Sequence, residues 1–434
     1  MSVMHFWLSV LRVLTALSLL YSTVSATIQS QSATDKANIA NLCPHMSQHN
    51  VTGVLIGVGQ RISVSTAMNT RALSFVLGFK ELGIPSQILE LNEEAHIKRR
   101  LFNTSSDFDR CAYSHIILVM FPVNLRRLVM EPLASVIRKI DAMLVHDWVR
   151  NFRHVSLHVV AETFVDQEKK NESECHHFRT YVNKFHLDLV LPATQKKTEA
   201  WRQQRCLGNV SVETLPVPFA THKYYNANRS IKSINILFEY DLRPIFQQNE
   251  AEVMLRAIEK FRTSTLMPVV VHVINGKNFP ESLSSITKVK ILQPMFIDKF
   301  LKFVGTCQVY ATAIRSSYEN TVVESQMMGG ILMSLPGIVI PELYDPSLAL
   351  IPPSIPGTIY DPSDRGGRLL PGQESRYQEA LVSLLNRTFI EIPHTSSHTS
   401  YAKVSARVHQ WATERHSPAV VAQKYLQLVS SGGI

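Results

Sequence analysis

"VTGVLIGVG", residues 51 to 59, decides the fold. The run is apolar and β-branched, without the alternation of a half-solvated strand. It therefore reads as a strand buried on both faces, broken by Gly57 and Gly59. From Thr66 to Leu82, apolar residues recur at helical spacing: Ala67, Ala72, Phe75, Val76, Phe79 and Leu82. Gly83 stops that helix, and "LGIPSQILEL" (82–91) supplies a second strand over 86–91. Strand, glycine loop, helix and strand in this order make a parallel α/β unit. Further strands follow at "SHIILVMF" (114–121), "IDAMLVH" (140–146), "VSLHVVAE" (155–162), "LDLVLPAT" (187–194) and "VETLPVPF" (212–219).

A polar stretch without periodicity, "ATHKYYNANRSIKS" (220–233), interrupts the pattern, and a second α/β alternation begins after it. "INILFE" (234–239) is a strand. Residues 250–261 form a helix with Val253, Met254, Ala257, Ile258 and Phe261 on one face. Strands at 268–274, 288–292, 308–312 and 331–335 alternate with helices at 297–304 and 321–328. Near the end, Ser417 and Pro418 stand as N-cap and first residue of a terminal helix. The chain thus divides into domains at 45–219 and 234–392, a linker at 220–233, and a helical segment at 400–434 expected to pack back on the first domain. In open parallel sheets ligands bind beyond the carboxyl ends of the strands, where helix N-termini offer free backbone N–H groups to anions.

The gross numbers agree with this division. A chain of 434 residues suits two cores, and 45% hydrophobic and 18% charged residues are globular values. The formal charge of +9 would suit a polyanion. Its basic residues are scattered, however, and the clusters at 98–100 and 195–197 are short, so nucleic acid is not the expected partner. Residues 1–26 run from Arg12 through "VLTALSLL" to the small residues Val24 and Ala26, the order of a secretory signal. The rival reading is a signal anchor, which would tie the chain to a membrane. Six Asn-X-Ser/Thr sequons, at Asn50, Asn103, Asn171, Asn209, Asn228 and Asn386, fit the secretory pathway or secretion. The pairing of Cys43, Cys111, Cys175, Cys206 and Cys307 is not legible in the sequence.

"SSYENTVVESQMMGG" (316–330) places Glu319, Asn320, Thr321 and Glu324 at the start of a helix that ends in paired glycines. Its surroundings, "KILQPMFIDKFLKFVGTCQVYATAIRSSYENTVVESQMMGGILMSLPGIVIPEL" (290–343), resemble the nucleotide-binding half of the retaining, nucleotide-sugar-dependent glycosyltransferases with two Rossmann-like domains (GT-B). "GTIYDPSDRGGRLLPGQESRYQEALVSLLN" (357–386) resembles that family's following loop and helix, and "ARVHQWATERHSPAVVAQKYLQLV" (406–429) its closing segment. "DLVLPATQKKTEAW" (188–201) and "VETLPVPFATHKYYN" (212–226) resemble its last first-domain strands and hinge. The resemblance implies α/β architecture with two doubly wound domains facing each other across a cleft. It also implies transfer of a sugar from a nucleotide-sugar donor to a glycan, glycoprotein or lipid-linked acceptor, with no metal or other cofactor.

Carried over by position, Glu324 would hold the donor ribose, since a carboxylate accepts two hydrogen bonds from a diol. Asn320 and Thr321 would meet donor phosphates or sugar hydroxyls. Gly57 and Gly59 would let the first domain approach. The bland reading of Glu324 is a solvated helix glutamate. The pattern also departs from the family. Ser316 stands where a second glutamate is expected, leaving Glu319 as the nearby carboxylate. Tyr240 and Asp241 replace a Gly-Arg pair, with Arg243 the nearest cation for phosphates. Glu162 stands about where a catalytic histidine belongs, while His154 and His158 read as structural. These departures keep a second expectation open: a catalytically inactive, secreted relative that binds carbohydrate or protein.

Overall fold

The computed structural model describes residues 51–58, 67–90, 112–120, 152–159, 187–203, 207–226, 232–240, 248–274, 279–293, 295–313, 319–339, 341–355, 372–390 and 400–431. The first half holds β1 (Val54–Val58), α1 (Ala67–Glu81), β2 (Ser86–Glu90), β3 (His115–Met120), β4 (His154–Val159), β5 (Leu189–Leu191), α2 (Gln195–Arg202) and β6 (Ser211–Val212). The second holds β7 (Ile234–Glu239), α3 (Gln248–Ser264), β8 (Val269–Ile274), β9 (Val289–Ile291), α4 (Ile297–Val304), β10 (Val309–Thr312), α5 (Glu319–Met327), β11 (Ile331–Met333) and α6 (Glu374–Phe389). Two closing helices follow, α7 (Ser400–His416) and α8 (Pro418–Ser431).

Among the described residues every strand pairing is parallel, in two separate sheets ordered β2-β1-β3-β4-β5-β6 and β11-β10-β7-β8-β9. The order reverses between β1 and β3 in the first sheet and between β7 and β10 in the second. Successive crossovers leave such a point on opposite faces and open a crevice at the carboxyl ends of its strands.

Local sequence accounts for these elements. All five residues of β1 are buried, as a parallel strand covered on both faces requires. Gly57 lies inside β1, opposite Leu89 and Leu118, and does not break the strand as expected. Ladders on both sides hold the backbone extended past it. Ala72, Phe75, Val76 and Phe79 turn α1 to the core. Gly83, at φ 73°, ends it, with the Ile84 N–H donating to the Phe79 carbonyl at 2.9 Å and the Gly83 N–H to that of Lys80 at 3.0 Å. That pair of bonds is a Schellman motif, which needs a residue at ease in the left-handed region.

The stretch "VETLPVPF" is a strand only at Ser211–Val212. Pro216 and Pro218 lack the N–H a ladder demands. Leu215, Val217 and Phe219 are nonetheless fully buried, and the Phe219 N–H donates to the His416 carbonyl at 2.8 Å. The closing segment divides. Tyr401, Val408 and Ala412 of α7 join the second core, whereas Val421, Ala422, Tyr425 and Val429 of α8 join the first. Of the two helices, α8 supplies the side chains that join the first core, while α7 touches the first half through His416. The first residue of α8 sits on Gly78 so closely that a Cβ there would lie 2.1 Å from the Pro418 carbonyl oxygen.

Candidate functional site

The second sheet places a carboxylate at its switch point. Apolar residues fill most of β7, and Glu239 ends it directly opposite Thr312, the last residue of β10. Glu239 is 4% exposed. Its Oε2 accepts from the Tyr310 hydroxyl in a short contact and from Thr312 Oγ1 at 3.4 Å. Burial, followed by the Glu239 charge, pushes the Tyr310 phenol well above its usual range, so that it remains a donor.

The helix that follows β10 brings a second carboxylate to the same place. Asn320 and Glu324 are four residues apart on α5, hence on one face, and both are buried. The other end of α5 is fixed by α7. Ser405 Oγ donates to the Gly329 carbonyl at 2.7 Å, and His409 Nδ1 lies 2.6 Å from that of Met327. Gly329, at φ 79°, leaves no room for a Cβ, which would lie 2.4 Å from Ser405 Oγ.

A cation reaches this cluster from the first half. Arg71 of α1 is 2% exposed. Its Nε donates to Asn320 Oδ1 at 2.9 Å, and its Nη1 to the Val159 carbonyl, at the end of β4, at 3.0 Å. Glu324 therefore lies between two opposing charges. Burial raises its carboxyl, Arg71 pulls it down and Glu239 pushes it up again, leaving it at about 7. His158 is held neutral, at about 3, by burial and then by Arg71, against the carbonyls of Leu215 and Pro216. A second contact joins the halves. The Glu342 carboxylate accepts from the backbone N–H groups of Gln195, in a short contact, and Lys196, at 2.8 Å, at the start of α2.

Of the residues singled out in the sequence, Glu324 occupies the switch point and faces the first half through Arg71. It is 5% exposed, which excludes the solvated helix glutamate. Asn320 is there too, but its amide oxygen is taken by Arg71. Thr321 is partly exposed on the first turn of α5. Gly57 lies within β1. Glu319 opens α5, but its side chain, like Gly59, Glu162 and Arg243, lies outside the described residues. Tyr240, at the position where the resembled family has glycine, is buried with its ring edge-on to Phe279 at 5.2 Å. His154 stacks on His115 at the amino ends of β4 and β3, away from the crevice. Arg71, Glu239, Tyr310 and Thr312 were missed. The signals for two of them were present: a lone charge closing an apolar strand, and an arginine within the apolar face of a helix. Among the described residues, no three His, Cys, Asp or Glu side chains converge on a metal-sized site.

No family model matches the sequence, and no curated protein matches it. Solved structures do match the fold. A glycosyltransferase from Rickettsia africae ESF-5 is 10% identical over 87% of this chain and 98% of that one, with a TM-score of 0.51. A trehalose-6-phosphate structure from E. coli bound with UDP-2-fluoro glucose is 11% identical over 87% and 99%, with a TM-score of 0.49. The pneumococcal O-GlcNAc transferase GtfA, in complex with UDP and GlcNAc, is 11% identical over 73% of this chain, with a TM-score of 0.44; the match spans only 57% of GtfA. The likeness lies in the fold: two all-parallel, doubly wound sheets in succession, the GT-B arrangement.

Proposed function

We propose that this protein is a glycosyltransferase that takes a nucleotide sugar between its two halves. The glycosyl group passes, without a metal, to a glycan, glycoprotein or lipid-linked acceptor in the secretory pathway. The observation that carries this reading is Glu324. It is a buried carboxylate at the switch point of the second sheet, one turn inside a helix N-terminus and facing the first half. A carboxylate there accepts both hydroxyls of a ribose, and the N–H groups of the first turn of α5 favour the adjoining phosphates. The N-terminal segment and the sequons support the compartment.

A second reading, a non-enzymatic relative that binds carbohydrate or protein in the same crevice, is favoured by the end of β7. Buried Tyr240 stands where a diphosphate would meet the resembled family's glycine, and Asp241 takes the place of its arginine in the sequence. The loss of such electrostatic stabilisation weighs against transfer chemistry. Calorimetry with a panel of nucleoside diphosphates separates the two. Binding that disappears in Glu324→Ala is the expected result; no binding by any member of the panel removes the enzyme reading.

A further inference from the structure

Arg71 carries an inference that rests on the proposed donor site and extends it. Burying a guanidinium costs several kcal/mol unless partners surround it, so its position on the buried face of α1 is held by what it binds. Those partners belong to both halves: the Val159 carbonyl at the end of β4 and the Asn320 amide at the start of α5. We propose that Arg71 is a positioning residue, which fastens the first turn of α5 to the first half and sets a positive charge beside Glu324.

The surroundings of Glu324 leave this role to Arg71. From β7, Glu239 opposes a second negative charge. From β10, Tyr310 and Thr312 direct their hydroxyls to Glu239. From β4, His158 is neutral. His409 of α7 lies at the far end of α5, on the Met327 carbonyl, and Glu342 is turned to the N-terminus of α2. Among the described groups acting on Glu324, Arg71 is thus the charge that favours its anion. Asn320, one turn earlier on the same face, couples that charge to the placement of the helix.

The test uses the full chain and two readouts. The first is the titration of Glu324, followed by 13C carboxyl NMR in the ligand-free protein. Arg71→Gln should raise its midpoint by about one pH unit, and Arg71→Lys should restore it. The second is UDP binding by calorimetry from pH 5.5 to 9. The same midpoint shift should make Arg71→Gln about fivefold weaker at pH 7, through the smaller ionised fraction. Asn320→Ala retains the guanidinium. It should leave the midpoint in place while the second-turn amides of α5, which bond to the carbonyls of its first turn, lose protection from hydrogen exchange. An unmoved midpoint in Arg71→Gln overturns the inference, as does undiminished protection in Asn320→Ala. Should Arg71→Gln fail to fold, Arg71→Lys decides: midpoint kept and protection reduced supports the role, and both unchanged overturns it. UDP that fails to bind the wild type, beside a midpoint that shifts, removes the donor reading and leaves the role of Arg71 standing.

Discussion

Replacing Glu324 by glutamine should make the protein more stable and remove its ligand. The side chain keeps its size, and the charge that the folded state holds at a cost is gone. An ordinary glutamate has a value of 4.5, and burial with Glu239 nearby raises this one to about 7. The folded state thus binds a proton more tightly than the unfolded chain. Its stability is fully present below 4.5 and is lost as pH rises through 7. Each pH unit of difference corresponds to about 1.4 kcal/mol, so ionised Glu324 costs about 3 kcal/mol at pH 8 and about 2 kcal/mol at pH 6. At pH 4.5 the cost is below about 0.5 kcal/mol. Glu324→Gln should therefore melt about 3–6 °C above wild type at pH 8, the gap closing as pH falls to 4.5. Calorimetric melts of both proteins across that range measure it, and comparing variant with wild type cancels every other titrating group. A variant that melts at or below the wild-type temperature at pH 8, or a gap that does not vary with pH, would refute the reasoning. A stabilising change that destroys binding is the expected signature of a residue kept for function.

Two further outcomes follow from packing and burial. Gly78→Ala should destabilise by about 2–3 kcal/mol, although alanine is the better helix former, because its Cβ would meet the Pro418 carbonyl and push α8 off α1. Thermal melts with hydrogen exchange on α8 check this, and a rise in stability would contradict the contact. His115 and His158, both buried and held at about 3, should show no imidazole titration between pH 8 and 5. Their depressed values make stability present above 6.5 and lost as pH falls towards 3, on the order of 5 kcal/mol for each. An NMR midpoint near 6.5 for either would show that it is solvated.

The elements were legible where one short segment sets its own state. The apolar run of β1, the spacing of α1, the stop at Gly83 and the start of α8 at Pro418 each depend on neighbours within a few residues. The first sheet ends at Val212 and the second begins at Ile234, and within that interval polarity and periodicity change together. Reading failed where the answer depended on remote chain. Gly57 looked like a breaker, yet two flanking strands keep it extended. The apolar residues of 212–219 are as buried as a strand's, but their prolines send the backbone to His416 instead of to a ladder. Asn386 satisfies the sequon pattern, although it sits within α6 with its amide oxygen buried and Thr388 bonded to the Leu384 carbonyl. The helix and loop around Glu324 mark it locally. Arg71 is marked locally too, but its partner Asn320 is 249 residues away and no sequence pattern links the two.

The charges of the site are divided unequally between the halves, and this gives closure a chemical consequence. Glu239 and Glu324 both belong to the second half, so their mutual repulsion persists whether or not the halves meet. Arg71 belongs to the first, and its effect on Glu324 depends on contact. Parting the halves would break the bond to Asn320 and take the cation away, which favours the protonated form, but it would also admit water and relieve the burial that is the largest cause of the raised value. Bringing them together restores the cation and the burial alike. Any proton exchanged at Glu324 as the halves part is therefore the difference between a lost cation and a gained hydration shell, and its sign near neutral pH reports which of the two prevails.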